Sequence, residues 1–139
     1  MSAVPHQATC VAIQGRGVLI EGPPGSGKSS LALALIDRGA ALIGDDGVLL
    51  ERRGGRLWAL PPPNIAGLLE VRNVGLIELP AEAAPVALVL RLDSEAPRHI
   101  EAVGRIDLAG VQLPLIRLWP DSPVLALRAE RALALHGTE

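Results

Sequence analysis

The residues Gly22-Pro23-Pro24-Gly25-Ser26-Gly27-Lys28-Ser29 fill the pattern G-x-x-x-x-G-K-[ST] at every fixed position. Glycines let successive backbone N–H groups turn toward one point, and a helix that starts at the loop adds partial positive charge there. The result is a cradle for phosphate. Lys28 would reach the β and γ phosphates of a nucleotide, Ser29 would hold Mg²⁺, and Ser30 follows at the helix start. The competing reading is a glycine-rich turn that caps a helix and binds nothing. It is the weaker one, because the motif stands between a strand-like and a helix-like segment, as a phosphate loop requires.

The second group is Asp45-Asp46, which follows the short apolar run Ala41-Leu42-Ile43-Gly44. A strand there would deliver two carboxylates at its C-terminal end, the edge at which α/β sheets bind ligands. One aspartate can bind the metal or its waters, while the other can accept a proton from an attacking hydroxyl; their mutual repulsion would raise one pKa. The bland alternative is an Asp-Asp-Gly turn that simply leaves a strand. Spacing alone does not choose between them, but the phosphate loop nearby favours chemistry. Only one helix separates the loop from the aspartates, whereas most P-loop GTPases and motor ATPases carry their acidic strand much further along. The arrangement points to a compact kinase.

Lys28 is the only lysine among the 13 basic residues, the other positions being arginine. A guanidinium is a broad planar fork and an ammonium a compact point charge, which is a physical reason for lysine at a phosphate.

These groups need elements to hold them. Residues 8–13 and 18–21 read as strands joined by the turn Gln14-Gly15-Arg16-Gly17, and residues 28–38 as a buried helix closed by Gly39. Residues 40–44 form a short strand, and residues 48–51 and 56–60 a hairpin around Arg53-Gly54-Gly55. Residues 64–69 are expected to make one helical turn that leads into Glu70-Val71-Arg72, and residues 80–85 a loop before a strand at 86–92. A strand at 111–118 and a helix at 124–136 complete the pattern. The expected architecture is α/β in a single domain, residues 1–139, with a central sheet flanked by few helices.

Composition agrees and excludes much else. A chain of 139 residues with 49% hydrophobic and 20% charged residues can bury one ordinary core, which rules out global disorder. A formal net charge of -2 offers no basic field for nucleic acid. The apolar runs are too short to span a bilayer, and residues 1–6 lack a basic segment followed by an apolar one, so the expected location is the cytoplasm. Cys10, the sole cysteine, reads as a buried strand residue. Phe and Tyr are absent and Trp58 and Trp119 are the only aromatics, so the core must be aliphatic and a base has little aromatic surface to stack on.

The chain resembles the catalytic domain of the HPr kinase/phosphorylase family in the short form without an N-terminal domain. The resemblance rests on His6 and the strand after it, Gly15-Arg16-Gly17-Val18-Leu19-Ile20, the loop at 22–29, Leu35-Ile36-Asp37-Arg38-Gly39, Leu42-Ile43-Gly44-Asp45-Asp46 and Leu68-Leu69-Glu70-Val71-Arg72-Asn73-Val74-Gly75. It implies a P-loop-containing fold like that of phosphoenolpyruvate carboxykinase around its nucleotide. It also implies a bacterial kinase that uses ATP and Mg²⁺ to phosphorylate a serine of the phosphocarrier protein HPr. On that resemblance Lys28 binds phosphate, Ser29, Asp45 and Glu70 hold the metal, Asp46 is the preferred base, Arg72 belongs to the catalytic group, and His6 lies near the phosphate site.

The resemblance further implies phosphorolysis of phosphoserine and assembly into a homo-oligomer, a hexamer in long members. The chain departs from the family at Asn73, where glycine is usual, at the spacing after His6, and at Trp119-Pro120-Asp121-Ser122-Pro123, which lacks the glycine and cations of the family's distal loop. That last departure predicts weak phosphorylase activity. Arg98 or Arg105 could supply a cation to the transferring group, whereas Arg91 and Arg117 read as solvated, and His99 and His136 as surface residues. Nothing in the loop or the aspartates names the acceptor, so a small-molecule kinase and a non-catalytic ATP-sensing module are the alternatives.

Overall fold

The computed structural model describes residues 3–139. Its strands and helices run β1 (Val4–His6), β2 (Thr9–Ile13), β3 (Arg16–Glu21), α1 (Lys28–Asp37), β4 (Ala41–Gly44), β5 (Val48–Arg53), β6 (Arg56–Leu60), β7 (Leu68–Val71), β8 (Gly75–Glu78), β9 (Ala84–Leu92), β10 (Gly104–Leu108), β11 (Val111–Leu118) and α2 (Leu125–His136). All but β7 and β8 join one nine-stranded sheet, in which β1-β5-β6-β9-β3-β2-β4 lie side by side.

Strand β9 is the axis. One of its edges pairs in parallel with β3; its other edge takes β6 near Ala84 and Pro85 and then, further along, β11 in parallel at Val89 to Leu92. Such branching curls the sheet. Seven of the nine residues of β9 are buried, the near-continuous apolar run expected of a strand covered on both faces.

The two faces carry separate cores. On one, Val18 and Ile20 of β3 and Leu88, Leu90 and Leu92 of β9 meet Leu31 and Leu35 of α1 and Leu133 of α2. On the other, Cys10, Leu19, Ile43, Leu50, Leu57, Val89 and Leu113 all come from strands, so the curling sheet covers itself there without a helix. Cys10 is fully buried, and burial pushes its thiol pKa up. The aliphatic core expected from a chain without Phe or Tyr is the one observed.

Helix α1 stops in a Schellman arrangement. Gly39, at φ 110°, donates to Ile36 O, and Ala40 donates to Leu35 O.

Three expectations need correction. Residues 64–69 make turns, not a helical turn, because Leu68 and Leu69 already belong to β7, which pairs with β8 as a separate hairpin. Between residues 93 and 110, where the sequence signal is weak and no element is expected, lies β10, which forms a hairpin with β11 around Ala109 and Gly110, both at positive φ. His136 is half-buried at the end of α2. Strand β1, paired with β5, is an addition.

Leu90 is fully buried at the parallel β3–β9 junction. Leu90→Ala is expected to cost about 2–5 kcal/mol, a large share of a small domain's stability, by urea unfolding. A loss below about 1 kcal/mol would show that the junction repacks.

Candidate functional site

The phosphate loop joins the end of β3 to the start of α1. Gly27, the N-cap of α1, adopts φ 98° and has no side chain to cap the helix, and no acidic residue occupies the first turn. The first N–H groups of α1 therefore keep their capacity to bind an anion. A Cβ on Gly25 or Gly27 would meet nothing within 4 Å, so the cradle is open. Lys28 folds back over the loop, its Nζ donating to Gly22 O at 2.9 Å and Pro23 O at 3.2 Å.

Asp45 is the meeting point. Its Oδ1 accepts from Ser29 Oγ at 2.6 Å and from Thr9 Oγ1 at 3.4 Å, and its Oδ2 accepts from the backbone N–H of Glu70 at 3.3 Å. Thr9, the fully buried polar side chain of the core, also accepts from the backbone N–H of Asp46 at 3.3 Å, so one hydroxyl fixes both aspartates. Asp46 itself is exposed and sits at φ 61°. Behind it, a Cβ on Gly44 would come within 2.3 Å of Gly47 O, which accounts for glycine ahead of the pair.

Glu70 and Arg72 arrive on β7. Together with Gly25, Gly27, Lys28, Ser29 and Ser30 they line a hollow of about 110 Å³. The structure thus brings Lys28, Ser29, Ser30, Glu70 and Arg72 together, with Asp45 bonded to Ser29 at the same place. Asn73, where the family usually has glycine, adopts φ 68° and completes the turn of the β7–β8 hairpin as a glycine would.

His6 stands one step back. Its Nε2 lies 3.3 Å from Glu21 Oε2, while Arg91 donates to Glu21 Oε1 at 2.9 Å. Glu21 is the last residue of β3 before the loop, and its register partner on β9 is Arg91. His6 therefore reaches the loop through Glu21. Arg91 is held by this ion pair and is not merely solvated. Neither Arg98 nor Arg105 borders the hollow.

Thr9, Glu21 and Arg91 are the contributors that the sequence reading missed. The one available signal for Glu21 and Arg91 is position, as charges at the C-terminal ends of apolar strands. Thr9 carries none.

The donor set suits a hard cation. Ser29, Asp45 and Glu70 offer only oxygen, and among the described residues no three His, Cys, Asp or Glu side chains converge on a point. Mg²⁺ is commonly held this way, by one or two carboxylates with phosphate oxygens and waters.

Comparison with known proteins fits this site. The family model described as HPr Serine kinase C-terminal domain matches residues 2–82, a span that contains the loop, the aspartates and β7. The chain belongs to this family. Curated relatives include the HPr kinase/phosphorylase of Streptococcus thermophilus (strain ATCC BAA-491 / LMD-9), 36% identical over 122 residues that cover 78% of this chain and 40% of the relative. That of Streptococcus uberis is 34% identical over 120 residues, covering 76% of this chain and 39% of the relative. This chain thus spans about 40% of the length of these relatives.

Among solved structures, the Hpr(Ser) kinase/phosphatase from Coxiella burnetii superimposes with a TM-score of 0.82 at 26% identity, covering 94% of both chains. The α/β fold expected from the sequence is therefore the HPr kinase catalytic fold. Its curled mixed sheet is consistent with a phosphoenolpyruvate carboxykinase-like nucleotide-binding fold.

The Glu21 carboxyl is held below its ordinary value of 4.5, first by the hydrogen bond from His6 and then by Arg91, with burial acting against both. A lowered folded-state pKa stabilises the protein above the unfolded value, and that contribution is lost as pH falls through the folded value. Urea unfolding of Glu21→Gln and wild type should therefore show a stability gap at about pH 7 that narrows once pH drops below the ordinary carboxyl range. A gap that stays constant into that acidic range would mean that the carboxylate gains nothing from its partners.

Proposed function

We propose that the chain transfers the terminal phosphoryl group of ATP, with Mg²⁺, to a serine hydroxyl of the phosphocarrier protein HPr. The observation that carries this reading is the Ser29–Asp45 hydrogen bond of 2.6 Å beside the lysine of an uncapped phosphate loop. The acceptor comes from the family and from the printed names of its members.

On this reading the backbone N–H groups of residues 22–27 and of the first turn of α1 receive the phosphates. Lys28 exchanges its two carbonyl partners for phosphate oxygens, a move that a flexible ammonium makes and a planar fork does not. Ser29 and Asp45, with Glu70, would hold Mg²⁺, which neutralises charge on the phosphates. Asp46, exposed and kept in place by Thr9 through its backbone, takes the proton of the serine hydroxyl. The serine oxygen then bonds to the γ-phosphorus as the bond from that phosphorus to the bridging oxygen of the leaving ADP breaks. Arg72, at the rim of the hollow, offers positive charge to the transferring group. His6 acts on the loop through Glu21.

Phosphorolysis is the weaker activity on this reading. Asp121 stands close to the loop across a neighbouring cleft, where its charge opposes an incoming inorganic phosphate. No helix among the described residues is long and apolar enough to cross a membrane. A cytoplasmic location and homo-oligomeric assembly go with the proposal.

Labelled ATP and purified HPr test the acceptor: label on HPr supports the proposal, label on a metabolite makes this a small-molecule kinase, and binding without transfer makes it a nucleotide sensor. Residue roles follow from variants. Asp46→Asn is expected to lower kcat by about 10²- to 10⁴-fold with ATP affinity nearly intact. Lys28→Ala should lose both transfer and affinity, and Lys28→Arg should be poor despite its charge. Full transfer by Asp46→Asn would remove that residue from the mechanism.

A further inference from the structure

Helix α2 carries two faces. Ala129, Ala132 and Leu133 are buried in the core that α2 shares with α1, β3 and β9. Val124, just ahead of the helix, and Leu127, Arg128, Arg131 and Leu135 recur at spacings of three and four, so they form a second stripe along it. This stripe is open: Val124 is 40% exposed, Leu127 45% and Leu135 76%. Large apolar residues exposed singly need no explanation, but these converge. They line one groove of about 450 Å³, whose remaining apolar lining comes from Ile100 and from Ile116 and Leu118 of β11.

The charge in the groove has one sign. Arg128, Arg131 and His136 border it, and no carboxylate does. An adjoining hollow shares Ile100, Leu118 and Arg128 with it and adds Arg98, His99 and Arg117, again without a carboxylate. Arg117 is neutralised by Asp93 at 3.3 Å. Arg98, Arg128 and Arg131 make no ion pair among the described residues, so their charge stands uncancelled. Glu130, the one acid of α2, faces α1 instead and pairs with Arg38 at 2.9 Å. Arg128 lies over Trp119, 5.9 Å from the ring centre, and the Trp119 indole N–H donates to Ala96 O. One end of the groove is thereby held in shape.

Shape and charge select the occupant. Two copies meeting through this same face would set Arg128 and Arg131 against themselves, a like-charge contact with no carboxylate to relieve it. A bilayer is flat, whereas here the apolar side chains line the walls of a depression. A segment with apolar side chains at helical spacing and carboxylates beside them matches both, as in the docking of an amphipathic helix into a groove.

We propose that the groove between α2 and β11 docks an acidic amphipathic helix of a partner protein, Leu127 and Leu135 receiving its apolar stripe and Arg128 and Arg131 its carboxylates. None of the lining residues borders the hollow at Lys28, so docking leaves the phosphate loop free.

NMR titration of the isotope-labelled full chain tests this with three probes: a synthetic helical peptide with leucine at every third or fourth position flanked by glutamate, its twin with lysine for glutamate, and phosphatidylglycerol vesicles. The glutamate peptide should shift the amide signals of residues 124–136 and 98–100 and lose affinity as salt rises, and the lysine twin should bind at least about tenfold more weakly. Leu127 and both arginines are exposed, so their variants keep the core, and the same spectra report the fold. Leu127→Glu should weaken the glutamate peptide by about tenfold or more, and Arg128→Glu with Arg131→Glu should reverse the preference between the peptides. Equal binding of the two peptides, binding of neither, shifts confined to another face, or a response to vesicles alone would overturn the proposal. So would a dimer in sedimentation that Leu127→Glu dissociates, because the groove would then belong to a second copy.

Discussion

The rest of the site depends on one carboxylate, that of Asp45. It projects from the end of β4, takes the hydroxyl of Ser29 on α1, the hydroxyl of Thr9 on the neighbouring strand β2 and a backbone N–H of β7, and so ties the edge of the large sheet to α1 and to the separate β7–β8 hairpin. A half-buried charge is tolerated only when hydrogen bonds replace its water, and here each replacement is also a positional constraint. The hydroxyl of Ser29 orients the first turn of α1. The N–H of Glu70 anchors the β7–β8 hairpin, which is also held by the buried Leu69 and, just past β8, by the bond from Glu82 N to Leu42 O of β4. Without the Asp45 contacts, Glu70 and Arg72 would have little reason to stand beside Lys28.

The sheet supplies the rigid base for this. Because β9 pairs in parallel with both β3 and β11, the loop after β3 and the segments after β9 and β11 emerge side by side. The antiparallel β2 then brings Thr9 alongside Ile20 of β3 and Cys10 alongside Gly44 of β4, which sets Thr9 under the aspartates. The phosphate loop and the aspartates are thus held by strands that are buried on both faces.

Much of this was legible in the sequence where the signal is local. The loop pattern, the glycine that ends α1, the hairpin at 8–21 and the apolar run of β9 all depend on neighbouring residues, and each is found within a residue or two. Asn73 at positive φ, in place of the family's glycine, is a further local feature that the structure explains. What escaped depends on partners distant in sequence. Strands β1, β8 and β10 are short and partly exposed, and they exist because β5, β7 and β11 offer them hydrogen bonds. Glu21 and Arg91 look like ordinary strand-end charges until the parallel register sets them opposite each other, and Thr9 looks like one more small strand residue until the Asp45 carboxylate lies above it.

The central claim is that Asp45 couples the cation to the phosphate loop, and the Mg²⁺ dependence of ATP affinity tests it most directly. Asp45→Asn keeps the shape and an acceptor oxygen but removes the charge. Titrations of ATP with and without Mg²⁺ should show a gain in affinity from the metal in wild type and little or none in the variant, with metal-free ATP bound at least as well. An equal gain from Mg²⁺ in both proteins would contradict the account.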